Sequence, residues 1–200
     1  MTREQADALA AEFQAASDEA RRLAEEFSAD ELGQPPAPAA WSAADNLMHL
    51  AAASQALVPR MARTLGKLAD AGRRTDGRSR ADWLGRLYAW WLEPPARLKF
   101  RAPAPFRPPV GMAAHEALGV FLGEQDRVLA LVEQSVGLDL AARKVPSPAS
   151  RYVRYNVYSA FLIVTAHERR HLWQARRAAQ AVRRSGPGAG GRGEPRSPDR

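Results

Sequence analysis

Cysteine is absent from this 200-residue chain. That excludes a disulfide framework and any thiolate metal site, so a bound metal would need His and carboxylate ligands. Long apolar runs are missing too. The longest candidate, residues 160–166, is far short of the roughly 20 residues that span a bilayer. The opening MTREQADALAAEF is charged and amphipathic and lacks the apolar centre of a signal peptide. The expectation is a soluble, cytoplasmic protein without a membrane span. No period-2 alternation and no β-branched cluster between turns appears either, so no strand is predicted.

Helical periodicity is abundant. Residues 3–28 read as a helix, with Leu9, Phe13, Ala16, Ala20, Leu23 and Phe27 on one stripe and Thr2 and Gln5 at capping-box spacing. Gly33, Pro35, Pro36 and Pro38 end it. A second helix starts at WSAAD, where Ser42 and Asp45 form the cap pattern, and carries Leu47, Leu50, Leu57, Met61, Leu65 and Leu68. Pro59 should kink it. Ser79 and Asp82 look like the cap of a short aromatic helix over 81–92, and residues 98–111 form a proline-rich connection. A third long helix covers about 113–135, residues 137–150 are a loop, and a fourth long helix covers about 153–184. The fold class is therefore all-α, a four-helix bundle with a short extra helix in the long connection between the second and third long helices. Residues 1–184 form one domain, and the Gly/Pro/Arg-rich residues 185–200 form a disordered tail.

The formal net charge is +7, of which +5 lies in residues 167–184. A wheel of about 100° per residue puts Val157, Val164, His171, Ala175 and Val182 on one line, with His167 beside it. Arg169, Arg170, Arg176, Arg177, Arg183 and Arg184 fall away from that line. They read as a solvated face. Nucleic-acid or anionic-membrane binding is disfavoured, because interleaved stacking aromatics and a binding motif are missing.

The stretch HERRH, residues 167–171, matches the H-E-x-x-H of zinc peptidases. Zincins need a third ligand, usually downstream. Here only Glu194 and Asp199 follow, both in the tail. They also need an edge strand for the peptide. The peptidase reading fails on both counts. Two inward histidines one turn apart still make a metal clamp, although paired core histidines are the common alternative for such spacing. The third ligand must then come from another helix. His49, at the edge of the second helix's apolar stripe, is the better candidate; His115, in the first turn of the third long helix, is the other. Glu168 either reaches water on a bound metal or pairs with an arginine.

The elements Trp41-Ser42…His49-Leu50 and His167…His171-Leu172-Trp173-Gln174, with Phe106 in the proline-rich stretch before the third long helix, resemble the DinB-like (YfiT-like) four-helix bundles. The resemblance covers essentially residues 3–184. It implies an up-down-down-up bundle with a three-histidine site for a divalent metal, often zinc or nickel, whose ligands here are His49, His167 and His171. It assigns no family role to Glu168. Some members are described as metal-dependent hydrolases; others resemble thiol S-transferases or a thiol-dependent isomerase that use a low-molecular-weight thiol. With no cysteine in the chain, that thiol would be external. Tyr152, Tyr155 and Tyr158 could add a hydrogen bond, although packing explains each as well. A small-molecule substrate and a homodimer complete the expectation. Against this enzyme stand two other readings: a non-catalytic, metal-stabilised, stress-related bundle, and a basic helical adaptor for nucleic acid or a membrane surface.

Overall fold

The computed structural model describes residues 1–95, 106–108, 111–150 and 152–185. The tail after Ser185 and most of the proline-rich connection lie outside these residues. Among the described residues there are six helices: α1 Arg3–Glu26, α2 Ala29–Gly33, α3 Ala43–Asp70, α4 Trp83–Leu92, α5 Ala114–Gln134 and α6 Val157–Ser185. A two-stranded antiparallel sheet joins β1 Lys144–Pro146 to β2 Arg154–Asn156.

Both predicted capping boxes form. Thr2 and Gln5 exchange bonds at the start of α1, and Ser42 and Asp45 do so at the start of α3. The helix expected over 3–28 is α1, which ends two residues earlier with Phe27 as its C-cap; a third capping box, Ser28 with Glu31, then starts the short α2, which was not expected. The cap of α4 is Asp82 alone, which accepts from the Gly85 amide at 2.8 Å. Ser79 is buried, and its amide donates to the Gln5 side chain. α3 runs through Pro59 as one element. Pro59 and Gln55 are both exposed, so the carbonyl freed by the missing amide lies on the watery side.

Two expectations fail at residues 144–156. The loop contains β1, and the fourth long helix starts at Val157 rather than near 153. Each strand is three residues long, too short for an alternation to show in sequence. Tyr155 and Val145 pair across the ladder and are buried, which anchors the hairpin to the core. Asn156 then accepts from the Ser159 amide at 2.8 Å and opens α6.

The four long helices form a square. α3 and α1 each pack on both α5 and α6. Arg3 meets Glu133, so α1 and α5 are antiparallel. Glu12, Glu19 and Glu31 meet Arg169, Arg176 and Arg183 in that order, so the α1–α2 edge runs parallel to α6. His49 faces His167 and Asn46 faces His171, so α3 opposes α6. The order is up-down-down-up. One core cluster gathers Phe13, Met61, Tyr155 and Phe161, and a second gathers Leu23, Leu50, Phe121 and Leu172. No helix among the described residues is long and apolar enough to cross a membrane.

The arginine face of α6 is not simply solvated. Arg170 is only 7% exposed, and its guanidinium lies 5.9 Å from the Trp91 ring. Arg169 bonds to Glu12 and Glu93, Arg176 to Glu19 and Glu26, and Arg183 to Glu31. A wheel locates a side chain about its own axis but not the helix that stands opposite.

Candidate metal centre

α3 presents His49 and α6 presents His167 and His171, and the antiparallel packing brings them to one level. A ligand nitrogen from each lies within 4.8 Å of the other two, and this is the cluster of at least three such side chains found among the described residues that could hold a metal ion. His49 Nε2 and His167 Nε2 are 3.1 Å apart. Two nitrogens bound to one zinc at about 2.0–2.1 Å would stand at a similar separation.

The outer partners assign the tautomers. His49 Nδ1 is 2.6 Å from the Phe106 carbonyl, which can only accept, so this nitrogen carries the proton. His171 Nδ1 is 2.9 Å from Asn46 Oδ1. Asn46 Nδ2 donates to the Ser42 carbonyl at 2.8 Å, so its oxygen is the end turned to the histidine. Both rings therefore offer an Nε2 lone pair inward, with the second nitrogen held from outside, as metal-binding histidines require. Burial pushes all three imidazoles toward the neutral form: His49 is lowered, His167 falls to about 3 and His171 lies well below its ordinary value. The neighbouring histidines add to the effect on His167 and His171. Three neutral nitrogens, from the buried His49 and His171 and the partly buried His167, fit a divalent cation and leave its charge uncompensated.

The cluster opens into a cleft of about 1580 Å³. Trp41 tilts against His49 at 4.8 Å and against His171 at 5.9 Å between ring centroids. Tyr88, Trp91, Phe106, Tyr155, Arg170 and Trp173 also line the cleft.

The other candidates are placed as follows. His115 is exposed on the first turn of α5, away from the cluster. Glu168 is 1% exposed and lines the cleft, but it accepts from Gln125 Nε2 at 3.2 Å and is not one of the clustered ligands. Burial, set against that bond, raises its carboxyl to about 8. Tyr152 is 79% exposed, and Tyr158 packs against the core. Tyr155 is buried beside Ser147, with its phenol pushed up to about 12 by burial. Sequence reasoning missed Asn46 and the Phe106 carbonyl. Asn46 had a signal: it stands three residues before His49, on the same side of α3. The carbonyl had none, because any residue there offers one.

Searches of the curated proteins and of the solved structures find no match. The family model described as the DinB superfamily matches residues 12–175, a span that holds His49, His167 and His171 and all four long helices in part or whole. With the up-down-down-up bundle around those histidines, the chain belongs to the DinB superfamily.

Proposed function

We propose that the chain is a metal-dependent enzyme of the thiol S-transferase or hydrolase type, with His49, His167 and His171 as the ligands of one divalent ion, zinc or nickel. The observation that carries this reading is the open side of the cluster. Structural zinc sites are closed by four protein ligands, whereas this one has three and faces a cleft of about 1580 Å³. A divalent ion held there would supply a Lewis acid with a position for water or for an external thiol as thiolate.

The chain's own residues do the rest. Phe106 and Asn46 hold two imidazoles in the correct tautomer. Trp41 tilts against the rings of His49 and His171 and forms part of the cleft wall beside them. Trp91 and Trp173 offer apolar surface to a small-molecule substrate, and Arg170 sets a positive charge near the site. In the same proposal residues 1–184 are the working domain, and the protein acts in the cytoplasm.

Elemental analysis tests the site. One divalent ion per purified chain, absent from His49→Ala and His171→Ala, is the expected result. Chains that fold and carry no metal at any pH would overturn it. Turnover of an electrophile with a low-molecular-weight thiol, or of an ester with water, that is lost with the metal separates an enzyme from a metal-stabilised bundle.

A further inference from the structure

Once α1 and α2 carboxylates are matched to Arg169, Arg176 and Arg183, a second group of cations stands out. Arg60, Arg63 and Lys67 follow one side of α3 at helical spacing, with Thr64 between them. Arg143 and Lys144 come from the start of the hairpin and Arg154 from its second strand. Val145 and Tyr155 point to the core, so the alternation of the strands puts Lys144 and Arg154 on the opposite face. The two walls enclose a trough of about 680 Å³ lined by these six cations and no carboxylate. Arg60 ties the walls together by donating to the carbonyls of Pro146 and Ser147, the latter at 3.0 Å. Among the described residues none of the six forms an ion pair. The trough is distinct from the metal centre: Arg60 lies 11 residues beyond His49 on α3, about 16 Å along the axis.

We propose that this trough binds a compact oligophosphate. Six converging cations repel one another, and a ligand with several negative charges relieves that repulsion where a single charge would not. Guanidinium groups match phosphate oxygens in bidentate fashion, and four of the six cations are arginines. The volume is that of a small-molecule site, enclosed on two sides, rather than the open surface a duplex needs. The lining holds no aromatic ring on which bases could stack. The oligophosphate is either free in solution or the headgroup of a lipid.

Titration calorimetry of the full chain with inorganic tripolyphosphate tests the proposal. Saturable binding of one molecule per chain is expected, weakening as salt rises. The triple variant Arg63→Ser, Lys67→Ser, Lys144→Ser removes three exposed cations and should weaken it by about tenfold or more, with unchanged circular dichroism. Arg184→Ser, at the far end of α6, should bind as the wild type does. His171→Ala should also bind normally, which keeps this test independent of the metal. Flotation with vesicles carrying a bisphosphorylated inositol headgroup, reversed by tripolyphosphate, would identify the lipid source; tripolyphosphate binding without flotation would identify the free one. Absence of saturable binding, equal binding by the triple variant, or capture of duplex DNA that tripolyphosphate does not displace would each overturn the proposal.

Discussion

Two histidines of the cluster have different outer partners, and the difference can be tested. His49 leans on a backbone carbonyl that no substitution removes, whereas His171 depends on the Asn46 side chain. Asn46→Ala should therefore weaken metal binding about 10–100-fold, the usual effect of losing such a partner. Asn46→Asp keeps an acceptor at the same place and should retain affinity. Competition with a chelator of known strength measures both, and an Asn46→Ala variant that binds as the wild type does would remove Asn46 from the site. The metal-free chain should also respond to pH. Burial holds His167 at about 3 against an ordinary 6.5, and His171 is lowered with it. Unfolded chains then take up protons first, so the stability these groups contribute is whole above pH 6.5 and lost as pH falls toward 3. Glu168 acts in the opposite sense. With its carboxyl raised from 4.5 to about 8, its contribution is whole below pH 4.5 and lost as pH rises through 8. Thermal melts of the metal-free protein should peak between these limits. Glu168→Gln should flatten the alkaline side and leave the acid side alone; a variant that melts in parallel with the wild type at every pH would contradict this.

Two contacts between elements decide how α6 is seated. The first is a close approach to α4. A Cβ built on Gly85 would stand 2.2 Å from the Ser159 side chain, which is itself engaged with Asp82. Neither neighbour has room to give. Gly85→Ala should destabilise the fold by about 1–3 kcal/mol, as overpacking does, and urea unfolding would show it as a lower midpoint at unchanged slope. Destabilisation within measurement error would mean that α4 is free to shift. The second contact is a ladder of charges. Glu12, Glu19 and Glu26 recur every seven residues on α1, and Arg169, Arg176 and Arg183 recur every seven on α6. Parallel helices bring the first two rungs, Glu12 with Arg169 and Glu19 with Arg176, into register, as flanking charges do in coiled coils; Glu26 adds a second bond to Arg176, and Arg183 turns to Glu31 on α2. The pairs are partly exposed, so they set alignment and direction more than they add stability.

At the scale of the whole molecule, the three histidines join α3 to α6 across the bundle. A metal bound only by the folded chain adds stability by mass action, about 2.7 kcal/mol at a free concentration of 100 times Kd. Chelation should therefore lower the melting temperature of the wild type and leave that of His49→Ala unchanged. Equal shifts in the two would place the stabilising ion elsewhere.

What sequence alone determined is what periodicity and short-range chemistry encode. The apolar stripes located all four long helices and the short α4, because each helix buries one side. Both predicted capping boxes are local patterns and appear as expected. The inward set of α6 put His167 and His171 toward the interior, and His49 stood as the better of two third candidates. Several features needed the tertiary structure. Only the antiparallel docking of α3 on α6 brings His49 within reach of residues more than a hundred positions away, since a wheel carries no information about a neighbouring helix. The same gap explains why Arg170 is buried and Arg169, Arg176 and Arg183 are paired. The three-residue strands were too short to read, yet the hairpin they form supplies one wall of the basic trough, and α3 supplies the other. A stripe on one helix can be read from its own residues; a site made where two elements meet exists only once they are packed.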